Sequence, residues 1–133
     1  MKKYILSLIL IVSLAILFSS CAPAAGRAPA KYQASSGDII NAIAEIAITM
    51  QPSSSYNFFS INTINDRFVT IQANTTTGIS ILTGGGHITI NWTALESNGT
   101  VTLAANGRGS SGTVNDVIDR ILTQLDGRFT RIR

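Results

Sequence analysis

The chain has 133 residues, ten of them basic and seven acidic for a formal charge of +3, with a single histidine and a single cysteine. That length suits one domain. Cys21 alone excludes an intrachain disulfide framework and a zinc site built on several thiolates, and His87 alone excludes any centre needing two imidazoles. A charged fraction of 13% beside an apolar fraction of 45% points to a packed core rather than a disordered chain.

The first segment changes that count. Met1-Lys2-Lys3 is a short cationic start, and Tyr4 through Phe18 follow with no charge. A positive start and an apolar run ending in small residues have the form of a secretory signal. A membrane-spanning anchor needs about 20 apolar residues, and Pro23 interrupts any extension of this run.

Phe18-Ser19-Ser20-Cys21 resembles the lipobox at the end of the type II signal peptide of bacterial lipoproteins, with Phe18 standing where leucine is commonest. The resemblance covers residues 1–21. It implies cleavage between Ser20 and Cys21, a diacylglycerol on the Cys21 sulfur and a fatty acyl group such as palmitate on the new N-terminus. It further implies a membrane partner held through lipid, on the extracytoplasmic face of a bacterial membrane. Ala22 stands where an aspartate would resemble an inner-membrane retention signal, which favours the outer membrane in a cell that has one. Without Lys2 and Lys3, eight basic residues face seven acids, a net +1, so a nucleic-acid-binding surface has no basis.

Residues 21–35 then read as the lipidated cysteine and a flexible tether, with two prolines, a glycine and no large aliphatic side chain. Fully extended, residues 22–35 reach roughly 50 Å. A single domain is expected over 36–133. Ser36-Gly37-Asp38 opens a helix that Pro52 stops, and Asp38, Asn41, Glu45 and Thr49 form one narrow polar stripe on it. The remaining circumference is apolar and needs cover on more than one side. That cover is a sheet and a second helix or, in part, a docked partner.

Strand patterns follow at 56–62 and 67–73 around a turn near Asn65-Asp66, at 79–82 and 87–95 around Gly84-Gly85-Gly86, and at 100–105 after Asn98-Gly99. Asn-Gly between alternating runs marks a type I′ hairpin, which needs positive φ twice. Ile88, Ile90, Trp92 and Ala94 alternate with His87, Thr89, Asn91 and Thr93, so the sheet has one apolar and one solvated face. A second helix is expected with Thr113 as its cap, Asp116 three residues on, an apolar stripe from Val114 to Leu125, an Asp116–Arg120 pair and Gly127 at its end. The predicted fold is therefore α+β: a two-layer sandwich with two helices on one face of a four- to five-stranded antiparallel sheet.

Catalytic patterns are sparse. His87 has no carboxylate within eight residues, and a hydrolase triad needs one to hold the imidazole. Gly84-Gly85-Gly86 lacks the lysine and hydroxyl of a phosphate loop, while Gly107 to Gly112 precedes a helix without such a motif. Asn74-Thr75-Thr76, Asn91-Trp92-Thr93 and Asn98-Gly99-Thr100 match a glycosylation pattern but equally reflect strands rich in asparagine and threonine. No catalytic residue, metal ligand or dissociable cofactor is assigned. The threonines at 70, 89, 93, 100 and 102 could line the solvated face as a hydroxyl ladder for sugar or a partner strand, or simply be ordinary sheet-surface residues. Arg128, Arg131 and Arg133 alternate with Phe129, Thr130 and Ile132; this end is an edge strand, a contact for an anionic surface or a solvated tail. The sequence thus predicts a non-catalytic envelope lipoprotein with a protein partner, or alternatively a carrier of a small apolar ligand between sheet and helices.

Overall fold

The computed structural model describes residues 28–76 and 86–133. The signal segment, Cys21 and the expected strand at 79–82 lie outside the described residues. In chain order the elements are β1 (Ala30–Gln33), α1 (Ser36–Ile48), β2 (Ser60–Ile64), β3 (Phe68–Asn74), β4 (His87–Ser97), β5 (Thr100–Arg108), α2 (Ser111–Asp126) and β6 (Thr130–Ile132). The strands form one antiparallel sheet in the order β2-β3-β4-β5-β1-β6. The fold is α+β, with both helices on one sheet face and two strands more than the central four.

One of those strands corrects the sequence reading, and the other decides between its alternatives. Ala30-Lys31-Tyr32-Gln33, expected in the tether, is a strand held between β5 and β6. Its four residues alternate buried and exposed, a period-2 pattern too short to stand out beside the prolines before it. Arg131 lies in β6, which pairs with β1 at the sheet edge, so the C-terminal segment is a strand rather than a frayed tail. β2 starts at Ser60 rather than Tyr56, because Phe59 donates its N–H to Met50 O at 3.1 Å and leaves the ladder.

Helix α1 follows its pattern. Ser35 caps it, its hydroxyl accepting from the Asp38 N–H at 3.2 Å, which satisfies one of the free donors of the first turn. Asp38, Asn41, Glu45 and Thr49 are exposed, whereas Ile39, Ile40, Ala42, Ile43, Ile46 and Ala47 are buried. The helix therefore sits between the sheet and α2, leaving Ile48 as its one large exposed apolar side chain.

Helix α2 starts earlier than expected. Ser111 is its first residue and Ser110 precedes it without a side-chain cap; Thr113 lies within the first turn and donates to Ser110 Oγ at 3.4 Å. Thr113 and Asp116 thus form no capping box. Gly127 ends the helix with φ −79°, a right-handed conformation open to any residue. The Asp116–Arg120 pair forms at 2.9 Å.

Between the layers, Tyr32, Val69, Ile71, Ile88, Ile90, Trp92, Ala94, Val101 and Leu103 meet the two apolar helix stripes. The Trp92 indole N–H is buried without an acceptor among the described residues, so this ring contributes through buried area alone. Geometry requires glycine at positions 99 and 107, among others. Gly99 has φ +75° beside Asn98 at φ 51°, the two positive values of the type I′ hairpin. A Cβ on Gly107 would overlap the Val114 side chain, so glycine lets α2 close onto β5.

Candidate functional site

The helix layer and the outer sheet face differ in chemistry. On the helix side, Asp38 and Glu45 belong to α1 and Asp116, Asp119 and Asp126 to α2, against the cations Arg120 and Arg128. Arg120 fixes the chain after α1. Its guanidinium reaches Asp116 Oδ2 at 2.9 Å and donates to Gln51 O at 3.0 Å and Pro52 O at 2.7 Å. Arg128 pairs with Glu45 at 3.0 Å.

Tyr32, Asp126 and Arg131 tie the first and last strands to α2. The buried Tyr32 hydroxyl donates to Asp126 Oδ1 at 2.7 Å, Arg131 bonds Asp126 Oδ2 at 3.0 Å, and the guanidinium carbon stands 6.0 Å from the centre of the Tyr32 ring. Burial raises the Tyr32 pKa well above that of a free phenol, and the bond to Asp126 raises it further. No local pattern in the sequence announces this trio, because 94 residues separate Tyr32 from Asp126.

The structure therefore divides the expected anionic-surface contact. Arg128 and Arg131 are held by carboxylates, and Arg133 is exposed at the end of the sheet. His87 is exposed at the start of β4, opposite Asn74. Among the described residues, no group of three His, Cys, Asp or Glu side chains is placed to hold a metal ion.

The outer face is a carpet of hydroxyl and amide groups. Thr70 donates to Asn91 Oδ1 at 2.8 Å, Asn62 Nδ2 to Gln72 Oε1 at 2.6 Å, and Gln72 Nε2 to Asn74 Oδ1 at 3.2 Å. The ladder of threonines thus exists, interleaved with amides that bond one another both across strands and along β3. Register adds what alternation alone misses. Leu95, Thr102, Lys31 and Ile132 are successive partners across β4, β5, β1 and β6, and Phe68 lies opposite Thr93 on the same face.

Among the described residues, two concavities of note open to solvent. One of about 640 Å³ lies between the end of α1 and α2, with Met50, Phe58, Arg120 and Thr123 among its walls. The other, of about 380 Å³, is lined by Ser36, Arg67, Ala94, Leu95 and Glu96. Both have mixed polar and apolar walls. Among the described residues, no helix is long and apolar enough to cross a membrane. Comparisons with protein-family models, with curated proteins and with solved structures give no match to this chain.

Proposed function

We propose that the protein is a membrane-anchored envelope lipoprotein whose α+β domain acts as a non-catalytic structural or interaction module. The observation that carries this reading is Phe18-Ser19-Ser20-Cys21 at the end of an apolar run that follows Lys2-Lys3. Acyl chains contribute about 0.8 kcal/mol per buried methylene, so a doubly or triply acylated cysteine holds a protein at a bilayer where one chain would not. The residues from Cys21 to Pro29 then connect the lipid to β1.

A structural or interaction role draws support from where the polar chemistry lies. The domain's arginine–carboxylate pairs fasten its own elements together, and its uncovered surface is a broad sheet face. Replacing Cys21 with alanine tests the anchor: metabolic labelling with palmitate should be lost and the uncleaved precursor should accumulate. Persistent labelling of Cys21→Ala would overturn the assignment. For the module, photo-crosslinkers at the exposed positions of α1 should capture a defined envelope protein. Recovery of the monomer alone from every position would count against it.

A further inference from the structure

We infer that the outer face of the sheet lies on the headgroup layer of an anionic bilayer. The inference rests on the proposed acyl anchor at Cys21 and adds how the domain is oriented beneath it.

Three properties of this face converge. First, it carries no side-chain carboxylate. All seven acids of the chain are described, and they lie elsewhere. Five belong to the helices, Asp66 is in the β2–β3 turn, and Glu96 accepts from the Ser36 N–H and hydroxyl at 3.1 and 3.3 Å at the start of α1. Second, it presents Lys31 and Arg108, both exposed, placed by their partners Thr102 and Thr89. Neither has a carboxylate within ion-pairing distance among the described residues, unlike Arg120, Arg128 and Arg131. Third, it exposes large apolar side chains that the fold does not require there: Phe68 at 38%, Leu95 at 62% and Ile132 at 38%. Leu95, Lys31 and Ile132 stand in one row across four strands, about 14 Å wide at strand spacing.

Cations beside apolar and aromatic side chains suit an anionic interface, where charge attracts and the apolar groups enter the headgroup boundary. Each cation near such a surface multiplies the docked population by about fivefold. The helix layer behaves oppositely, since its five carboxylates outnumber Arg120, Arg128 and Arg131, and an anionic surface repels it. The tether strengthens a patch this small. β1 begins nine residues after Cys21, a reach of roughly 30 Å at full extension, so the face is presented at high local concentration. β1 itself carries Lys31 in the middle of the row.

The test uses the acylated full chain in protein-free vesicles, either of phosphatidylcholine alone or with equal parts of phosphatidylglycerol. Cys21 is the only cysteine and is consumed by the acyl chain, so Thr93→Cys and Asn115→Cys each accept one polarity-sensitive fluorophore. Thr93 is opposite Phe68 on the outer face, and Asn115 is exposed on α2. In anionic vesicles the probe at 93 should brighten severalfold and shift to the blue, while the probe at 115 stays unchanged. The response should fade in about 0.5 M salt, where screening shortens to roughly 4 Å. It should also fall at least tenfold in Lys31→Glu/Arg108→Glu, with the circular dichroism unchanged. Flotation reads the anchor separately. Protein that fails to float overturns the reading of Cys21. Floated protein with a silent probe at 93, a response at 115, or a response indifferent to charge reversal overturns the docking face. A probe that responds only in native membranes, and not in protein-free vesicles, would assign the face to a protein partner and equally overturn it.

Discussion

Along β4, Ile88, Ile90, Trp92 and Ala94 are at most 1% exposed, while their alternating neighbours His87, Asn91, Thr93 and Leu95 face water. Both sets share one backbone, so strand propensity is common to them and the difference is solvent. The inner set is constrained by the two helices packed on it, and any change in volume there is felt throughout the core. The outer set has no layer above it, and folding asks little of it beyond compatibility with a pleated surface. Composition on the inner face therefore reports the fold. Composition on the outer face, where Leu95 is 62% exposed and side-chain carboxylates are absent, is left largely unset by the fold.

The largest break in this comparison comes from the inner face. Trp92→Ala should destabilise the domain by about 3–5 kcal/mol through lost area and a residual cavity, measured by denaturant unfolding. No hydrogen bond is lost with it, because the indole N–H has no acceptor among the described residues. Next comes the contact that joins the helix layer to the chain after α1. Arg120→Lys keeps the charge but not the fork that reaches Gln51 O and Pro52 O, and it should cost about 1–2 kcal/mol. A loss no greater than a few tenths would show that those carbonyls are equally well served by water.

Tyr32→Phe probes the seam between first strand, last strand and α2. At neutral pH it should lose about 1–2 kcal/mol with the bond to Asp126. The pH dependence has a definite sign. Burial raises the folded-state pKa of Tyr32 above the ordinary value of 10, so the unfolded chain releases this proton first. The contribution is constant below pH 10. Above it, stability falls with a slope of about 1.4 kcal/mol per pH unit that the phenylalanine variant lacks. Unfolding curves collected between pH 8 and pH 11 for both proteins would show that slope or its absence. The smallest effect belongs to the outer face: Thr70→Ala removes a solvated bond to Asn91 and should change stability by less than about 0.5 kcal/mol. A large loss there would mean that the amide and hydroxyl carpet holds the sheet together, and the contrast between the two faces would shrink.

Much of the fold is legible in local pattern. The polar stripe Asp38, Asn41, Glu45 and Thr49 locates α1 and its exposed edge, the alternation from His87 to Leu95 identifies both faces of β4, and Asn98-Gly99 marks its hairpin. Each signal is contained within a few residues and rests on a period of 3.6 or 2. The missed strand is short. β1 has four residues, too few to complete a legible alternation, and it is a strand because β5 and β6 lie on either side of it. The Thr113 capping box failed for a related reason: a plausible local hydrogen bond yields when Gly109 and Ser110 let the helix begin one turn earlier.

The sequence by itself determined the two helices, the central strands and their apolar faces, because short periodicities are enough for these. Only the tertiary structure decided which charges are spent inside the fold and which remain. Arg128 and Arg131 are equivalent to Arg133 in the sequence, yet the first two meet Glu45 and Asp126 at 3.0 Å. Lys31, which reads as part of a tether, stands between Thr102 and Ile132 on the outer face. Strand register brings together residues as much as 101 positions apart, Lys31 and Ile132, and no local pattern carries that information.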